Sequence, residues 1–487
     1  MIKYNVGIII VPVSIISLIL AYFFKMTDFS LSMDELVSLA FANSAPNLKN
    51  FSNWMTVDMH PPGYYFLIFM QSIFMDMTSL KLRGFNHFSS IILLILGFII
   101  FTKSFKFKKA TQFQYFVCYC LFTLTAFSFA FFWGNLSEAR ANCLYYSLTY
   151  LLCVSLLSKS KIWTTISSIA IQWVHPFGVV LTFIILASEF SNYLLKSTKS
   201  GIKLNRIIYS VCSRYFYVFC SAIAVIIFML FFSGALEIKE VSGEGQEFLE
   251  IIQVTRGGFG NYFAEIYVSA FLVFLLIECF FLKRNKSIYN FFNFSVFNLL
   301  SPILIFIFIA GLIVILNLSF FQFKYIAPLF IYFSLLLSRQ CLTFNQKWTT
   351  LTKTLFLSCL LLAYIHLNFL QHTNIWQFSN LPKQNNYQAI QKACNLASSK
   401  IPVVTSYFLP DHKNFNTLEN LLKPYIPKEC NIFLLQKSKS TDLKCDIYKY
   451  NDTILFLHYS PKLIDHFLEK CGGKYIFSDY AYVITKL

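Results

Sequence analysis

The chain is cut into apolar blocks of near-membrane length, and short basic clusters stand between them. The blocks lie near 6–24, 87–103, 113–132, 141–158, 163–175, 177–192, 208–232, 263–282, 295–317, 324–340 and 351–370. A helix needs about 20 apolar residues to cross a bilayer. In hydrocarbon a backbone must satisfy its own hydrogen bonds, so blocks of this kind are restricted to helices. Only 13% of the residues are charged, against about 25% in soluble domains. The pattern predicts a polytopic α-helical membrane protein. The first block resembles the core of a signal peptide, but it is long and no small-residue cleavage pattern follows Phe24, so it reads as a retained helix.

The formal charge of +17 invites a nucleic-acid reading, which the distribution of the charge excludes. The basic residues form no single stripe. They recur as Lys3; Lys103, Lys106, Lys108 and Lys109; Lys159 and Lys161; Lys196, Lys199, Lys203 and Arg206; Lys283, Arg284 and Lys286; and Arg339, Lys347 and Lys353. Such clusters mark cytoplasmic loops. The blocks alternate correctly between them if residues 63–75 do not cross. At 1.5 Å per residue that stretch reaches about 20 Å, short of a bilayer core of about 30 Å. The expectation is eleven spans, with juxtamembrane helices in the first external loop, the N-terminus inside and the C-terminus outside. The chain then belongs in the cell inner (plasma) membrane, with membrane lipids as its surroundings.

The composition changes sharply near residue 371, which divides the chain into a membrane domain, 1–370, and an extracytoplasmic domain, 371–487. In the second, "IPVVTSYF", "NIFLLQ", "TILFLHY" and "YAYVITKL" read as strands, and 386–398, 417–424 and 461–470 as helices. A small α/β fold is expected there. Of 13 cysteines, eight lie in or beside apolar blocks and Cys341 is on the cytoplasmic side. Cys394, Cys430, Cys445 and Cys471 lie in the tail, where an even number allows disulfides in any of three connectivities. None has zinc-site spacing.

With this topology the polar features gather at the outer face. Asp34 and Glu35 follow the first block; a carboxylate there can take a proton from an attacking hydroxyl, or can simply start a surface helix over 33–42. In "DMHPPGYY" two prolines fix the chain after His60 and start a helix at 63–64, holding Asp58 and His60 at its entrance. Glu138 and Arg140 stand at the outer end of the helix beginning near Ala141; charges there are costly unless used, and Arg140 suits a phosphate. Lys324, followed by Tyr325, lies at an outer helix start, where the dipole disfavours a cation unless an anion is near. Arg256 is a weaker case in a polar loop, and His175 precedes Pro176 at another outer end. No cofactor is required by these residues; Asp58, His60 and His175 are the candidate ligands should a divalent metal bind. "RGGFGNYF" lacks a preceding strand and a Walker lysine, which favours a donor carried on a lipid over a nucleotide.

As a set, the acidic pair after the first span, D-x-H-P-P-x-Y-Y at 58–65, E-A-R at 138–140 and the basic-Tyr-x-x-Pro of 324–328 resemble the GT-C superfamily of membrane glycosyltransferases that use polyprenyl-phosphate sugars. The resemblance is to the bacterial branch related to protein O-mannosyltransferases and the lipid A aminoarabinose transferase, over about residues 1–340. It implies that Asp34 is the catalytic acid position, with Glu35 beside it, and that Asp58 and His60 line the same cavity. Glu138, Arg140, Lys324 and Tyr325 match further family positions. Two departures stand out. Gly63 replaces the usual Leu, which would loosen the helix start, and Lys324 replaces Arg, which loses bidentate phosphate geometry.

The implied activity is transfer of a sugar from a polyprenyl-phosphate carrier to a hydroxyl of a lipid, glycan or protein acceptor, with inversion. In this reading Asp34 and Glu35 are catalytic; Asp58, His60, Glu138 and Tyr325 position donor or acceptor; and Arg140, Lys324 and Arg256 bind the donor phosphate. A lipid-linked polysaccharide ligase or polymerase is the nearest rival, but is expected to centre on arginines in a large external loop, and 233–262 has one. A transporter should show polar, broken helices at mid-bilayer, whereas the ionisable residues here gather mostly at one face.

Overall fold

The computed structural model describes residues 33–43, 47–56, 60–104, 140–199, 204–232, 328–344, 386–396, 401–405, 432–437, 452–457, 461–478 and 481–486, with a few isolated positions. The expected spans at 6–24, 113–132, 263–282, 295–317 and 351–370 and the helix at 417–424 lie wholly or largely outside these residues.

Three short helices follow the first apolar block: α1 (Met33–Asn43), α2 (Leu48–Met55) and α3 (Pro62–Ser72). Asn47 caps α2, its side-chain oxygen accepting from the Asn50 amide at 2.8 Å. Pro61 and Pro62 open α3, where a missing N–H costs nothing. Both α1 and α2 pack on α3, through Phe41, Trp54 and Tyr65, with ring centroids 5.3 Å (Phe41–Trp54) and 5.0 Å (Phe41–Tyr65) apart. At 11 residues, α3 is about 16 Å long, well short of a bilayer core.

The long helices come next: α4 (Ser79–Ser104), α5 (Ala141–Leu157), α6 (Lys161–Val174), α7 (Gly178–Lys199), α8 (Leu204–Phe231) and, further on, α9 (Leu329–Phe344). The sequence placed the start of the α4 span at residue 87; the helix begins two turns earlier and takes Arg83, Asn86 and His87 into its first half. Every residue of α5 is buried, because α4, α6 and α9 all pack against it. A tight corner with Lys159 in the left-handed region (φ 55°) turns α5 into α6, and His175-Pro176-Phe177 turns α6 into α7.

The distribution of polarity is inverted relative to a soluble protein. Helix α6 buries Thr164, Ser167, Ser168 and Gln172 and exposes Ile162 and Ile166. Its hydroxyls bond back to the preceding turn, Thr164 to the Ser160 carbonyl at 2.7 Å and Ser167 to the Trp163 carbonyl at 2.6 Å, and Gln172 donates to Thr182 of α7 at 3.1 Å. Helix α8 exposes Phe216, Phe219, Ile223, Ile226, Ile227, Leu230 and Phe231. Small polar residues between helices and bulky apolar ones outside are what packing in lipid selects. Among the described helices, 80–103 and 211–231 are long and apolar enough to cross a membrane.

Arg339, at the end of the expected span 324–340, lies within α9 and forms an ion pair with Glu189 of α7. Tyr332 donates to the same carboxylate at 3.1 Å.

The tail contains α10 (Asn386–Leu396), β1 (Ile401–Thr405), β2 (Ile432–Lys437), β3 (Thr453–Leu457), α11 (Pro461–Cys471), β4 (Lys474–Ser478) and β5 (Ala481–Thr485). The strand order is β2-β1-β3-β5-β4; β1 pairs parallel with β2 and β3, and β5 pairs antiparallel with β3 and β4. Alternate residues point to opposite faces. Ile454, Phe456, Tyr482 and Ile484 pack with Ile464 and Phe467 of α11, while Leu455 and Val483 pack in the group that holds Ala389, Ile390 and Ala393 of α10. Four of the five strands match the sequence expectation. Strand β4 does not, because its short apolar run follows Gly472 and Gly473, both at positive φ, and reads as part of a turn.

Of the three connectivities open from sequence, the fold forms Cys394–Cys430 and Cys445–Cys471. The second closes the chain between the segment before β3 and the end of α11, with a sequence separation of 26. Replacing Cys445 and Cys471 together with Ala is expected to destabilise the tail by about 2–4 kcal/mol. Hydrogen exchange of the β3 and β5 amides reads this directly, and unchanged protection would show that the bridge closes a loop already restrained.

Candidate active site

Glu35 lies in the first turn of α1 and is only 3% exposed. Its carboxylate receives two parallel hydrogen bonds from Arg83 of α4, Nε to Oε1 and Nη2 to Oε2, each 3.0 Å. Arg83 is itself 2% exposed. The fork geometry is the strongest form of such a pair, and it joins residues 48 positions apart.

One helical turn along α4, Asn86 carries the contact further. Its side-chain amide donates to the Tyr64 hydroxyl of α3 at 3.2 Å and to the Arg140 carbonyl at 3.3 Å. Tyr64 is fully buried, and its hydroxyl also engages Ser38, one turn after Glu35 on α1. Burial pushes the Tyr64 phenol far above its ordinary value, opposed by the Asn86 contact, so the group is a neutral hydroxyl throughout the physiological range. Arg140 occupies the N-cap position of α5 with an extended backbone, φ −140° and ψ 170°, and no side-chain cap hydrogen bond. Below this level a polar seam continues between α4 and α5: Ser90 donates to the Asn86 carbonyl at 3.0 Å, and Ser147 donates to Ser90 at 2.9 Å.

His87 completes the α4 face. Its Nδ1 lies 2.8 Å from the Arg83 carbonyl; a carbonyl only accepts, so that nitrogen carries the proton and Nε2 is the acceptor. The opposite tautomer holds at His175, whose Nδ1 accepts from the Phe177 amide at 3.2 Å, leaving the proton on Nε2. His175 is fully buried and stacks on Tyr145 of α5, centroids 4.2 Å apart and planes within 11°. The His60 ring lies 6.0 Å from that of His175 and 6.4 Å from Tyr65.

The structure thus sets His60 beside His175, and links Glu35 to the Arg140 backbone through Arg83 and Asn86 of α4. The backbone of Asp34 lies in α1 beside Glu35; its side chain is outside what is described, as are Asp58, Glu138, Arg256, Lys324 and Tyr325. Two imidazoles meet as the metal reading requires, but a metal-ligating imidazole normally donates its other N–H outward. At His175 that nitrogen accepts instead, so the ring is set up as an Nε2–H donor. Among the described residues no group of three or more His, Cys, Asp or Glu could hold a metal.

Sequence reasoning passed over Arg83, Asn86 and His87. Their spacing carries the signal: positions 83, 86, 87 and 90 fall on one side of a helix, and they precede a block otherwise free of charge until Lys103.

Gly63 also takes a different role from the one its departure from the family implied. The helix is not loosened there. A Cβ on Gly63 would lie 2.5 Å from the Trp173 carbonyl oxygen, at the end of α6. The missing side chain is what lets α3 reach α6 and brings His60 to His175.

No family model matches the chain, and no curated protein matches it. Among solved structures it is similar to ArnT from Cupriavidus metallidurans bound to undecaprenyl phosphate, with 9% sequence identity, 99% of this chain and 98% of that chain covered, and a TM-score of 0.47. An identity and a score this low leave the family of the chain undefined.

Proposed function

We propose that the chain is an integral membrane glycosyltransferase that moves a sugar from a polyprenyl-phosphate carrier to a hydroxyl of a lipid, glycan or protein acceptor. The reaction takes place at the outer face of the membrane, where the tail 371–487 also lies, and inverts the anomeric centre. The observation that carries this reading is the buried Glu35–Arg83 pair with its extension through Tyr64 and Asn86 to Arg140. It ties the helix bearing Asp34 to the residue suited to a phosphate, across a gap of more than 100 residues of chain. An apolar protein holds ionisable groups in such an arrangement where a charged substrate is handled.

In this mechanism the acceptor oxygen attacks the anomeric carbon as the bond from that carbon to the phosphate oxygen breaks. The hydroxyl proton passes to the Asp34 carboxylate. The leaving polyprenyl phosphate gains charge, which Arg140, Lys324 and Arg256 stabilise. Glu35 is held by Arg83 and acts as a positioning residue. His60, with Asp58, Glu138 and Tyr325, lines the cavity, and His175 offers a fixed N–H. A direct displacement needs no second carboxylate for a covalent intermediate.

The test is incubation of membranes containing the full chain with a panel of polyprenyl-phosphate sugars, followed by mass spectrometry of lipids, glycans and proteins. One donor is expected to yield a product larger by a single glycosyl unit. Asp34→Asn should reduce its formation by at least about 100-fold while leaving undecaprenyl phosphate binding intact. Turnover at the unaltered rate in Asp34→Asn removes Asp34 as the base, and no product from any donor overturns the reading.

A further inference from the structure

We infer that Asn86 is a positioning residue for the donor phosphate, acting by fixing the chain at Arg140; this rests on the assignment of Arg140 to that phosphate. The geometry separates Asn86 from ordinary bundle packing. The contact between α4 and α5 is already secured one turn deeper, where Ser147 donates to Ser90 at 2.9 Å and Ser90 bonds back to its own helix at 3.0 Å. Asn86 reaches past the helical part of α5, to the carbonyl of the residue before it. That carbonyl already accepts from the Cys143 amide at 3.3 Å, so the Asn86 contact fills its second lone pair. These two bonds come from one amide nitrogen, and the second ends on Tyr64, which is anchored in turn to α1.

The backbone of Arg140 is therefore held between α3 and α4 by a planar group with little freedom. A long side chain inherits its starting point from its own backbone, and loss of an angstrom there is amplified at the guanidinium. Arg140 is half-buried, so its side chain is partly screened from water. Asn86 touches no substrate in this arrangement; it sets where the cation begins.

The experiment uses the full chain in lipid nanodiscs, with undecaprenyl phosphate as the probe and affinity read by native mass spectrometry. Asn86→Ala, Arg140→Ala and the double variant form a cycle, with Ser90→Ala as the control in the deeper seam. Asn86→Ala is expected to weaken binding by about 3- to 10-fold, the range of one hydrogen bond. Arg140→Ala is expected to weaken it further, and the double variant should match Arg140→Ala alone, since the two residues act through one contact. Ser90→Ala should bind as the unaltered protein does. An unchanged affinity in Asn86→Ala overturns the inference, as does a loss that persists undiminished in the Arg140→Ala background. Arg140→Ala without effect removes that residue from the phosphate and takes this inference with it, whereas a weakened Arg140→Ala beside a normal Asn86→Ala overturns the inference alone. If Asn86→Ala fails to fold by thermal melt, Asn86→Asp, which keeps the shape and loses both amide donors, enters the same cycle.

Discussion

Glu35→Ala is expected to destabilise the fold by about 3–5 kcal/mol, because it takes from the buried Arg83 the carboxylate that receives both of its parallel hydrogen bonds. The size of the effect follows from the burial of both partners, 3% and 2% exposed, and from the bidentate geometry. An exposed pair would contribute at most about 1 kcal/mol. The pair itself is a different quantity from its disruption. Replacing both members with Met should recover most of the loss, since desolvating two charges costs nearly as much as their attraction returns. Equilibrium unfolding in bicelles of the two single variants and the double variant measures this. A Glu35→Ala protein as stable as the original, or a double variant no better than the single ones, would show that the pair is not sequestered as described.

Gly63→Ala is expected to be nearly as damaging, by about 1–3 kcal/mol, and Gly63→Leu more so. The added Cβ meets backbone, the Trp173 carbonyl oxygen at 2.5 Å and its carbon at 2.9 Å, and backbone cannot turn aside as a flexible side chain does. Either α3 moves off α6 or the end of α6 unwinds. Gly178→Ala presents the same problem at the α6–α7 corner, with the Ile171 carbonyl oxygen at 2.1 Å. Both variants should show a lowered melting temperature and an altered environment for Trp173, whose indole donates to Ser221 of α8 at 3.1 Å. Fluorescence and melting curves indistinguishable from those of the unaltered protein would mean that α3 is not seated against α6.

The long elements were legible because length and uniform apolarity are local properties. The blocks at 141–158 and 163–175 appear as α5 and α6 within a few residues. Four strands of the tail were legible for a similar reason, an apolar run bounded by polar residues. What escaped was pairing over distance. Arg83 looks like a loop charge until Glu35 is placed beside it, and nothing within 40 residues of either announces the other. Asp34 and Glu35 cannot be ranked as catalytic groups by composition, since they are adjacent acids. A helix sends neighbouring residues about 100° apart, and that rotation commits Glu35 to Arg83. The pairing of Arg339 with Glu189 escaped for the same reason, since the two are 150 positions apart.

The complete enclosure of α5 has a consequence for how a carrier lipid would be accommodated under the proposed function. A helix with no outward side offers no track for an isoprenoid chain tens of ångströms long. If the proposed donor binds, its tail would run along peripheral helices such as α8, whose exposed surface includes Phe216, Phe219, Ile223, Ile226 and Ile227, and only its polar end would approach α5. Recognition of the head and solvation of the tail would then be divided between different parts of the bundle. Polar substitutions on the outside of α8 would disturb residence in the bilayer, whereas those in the enclosed α5 would disturb the packing of the bundle.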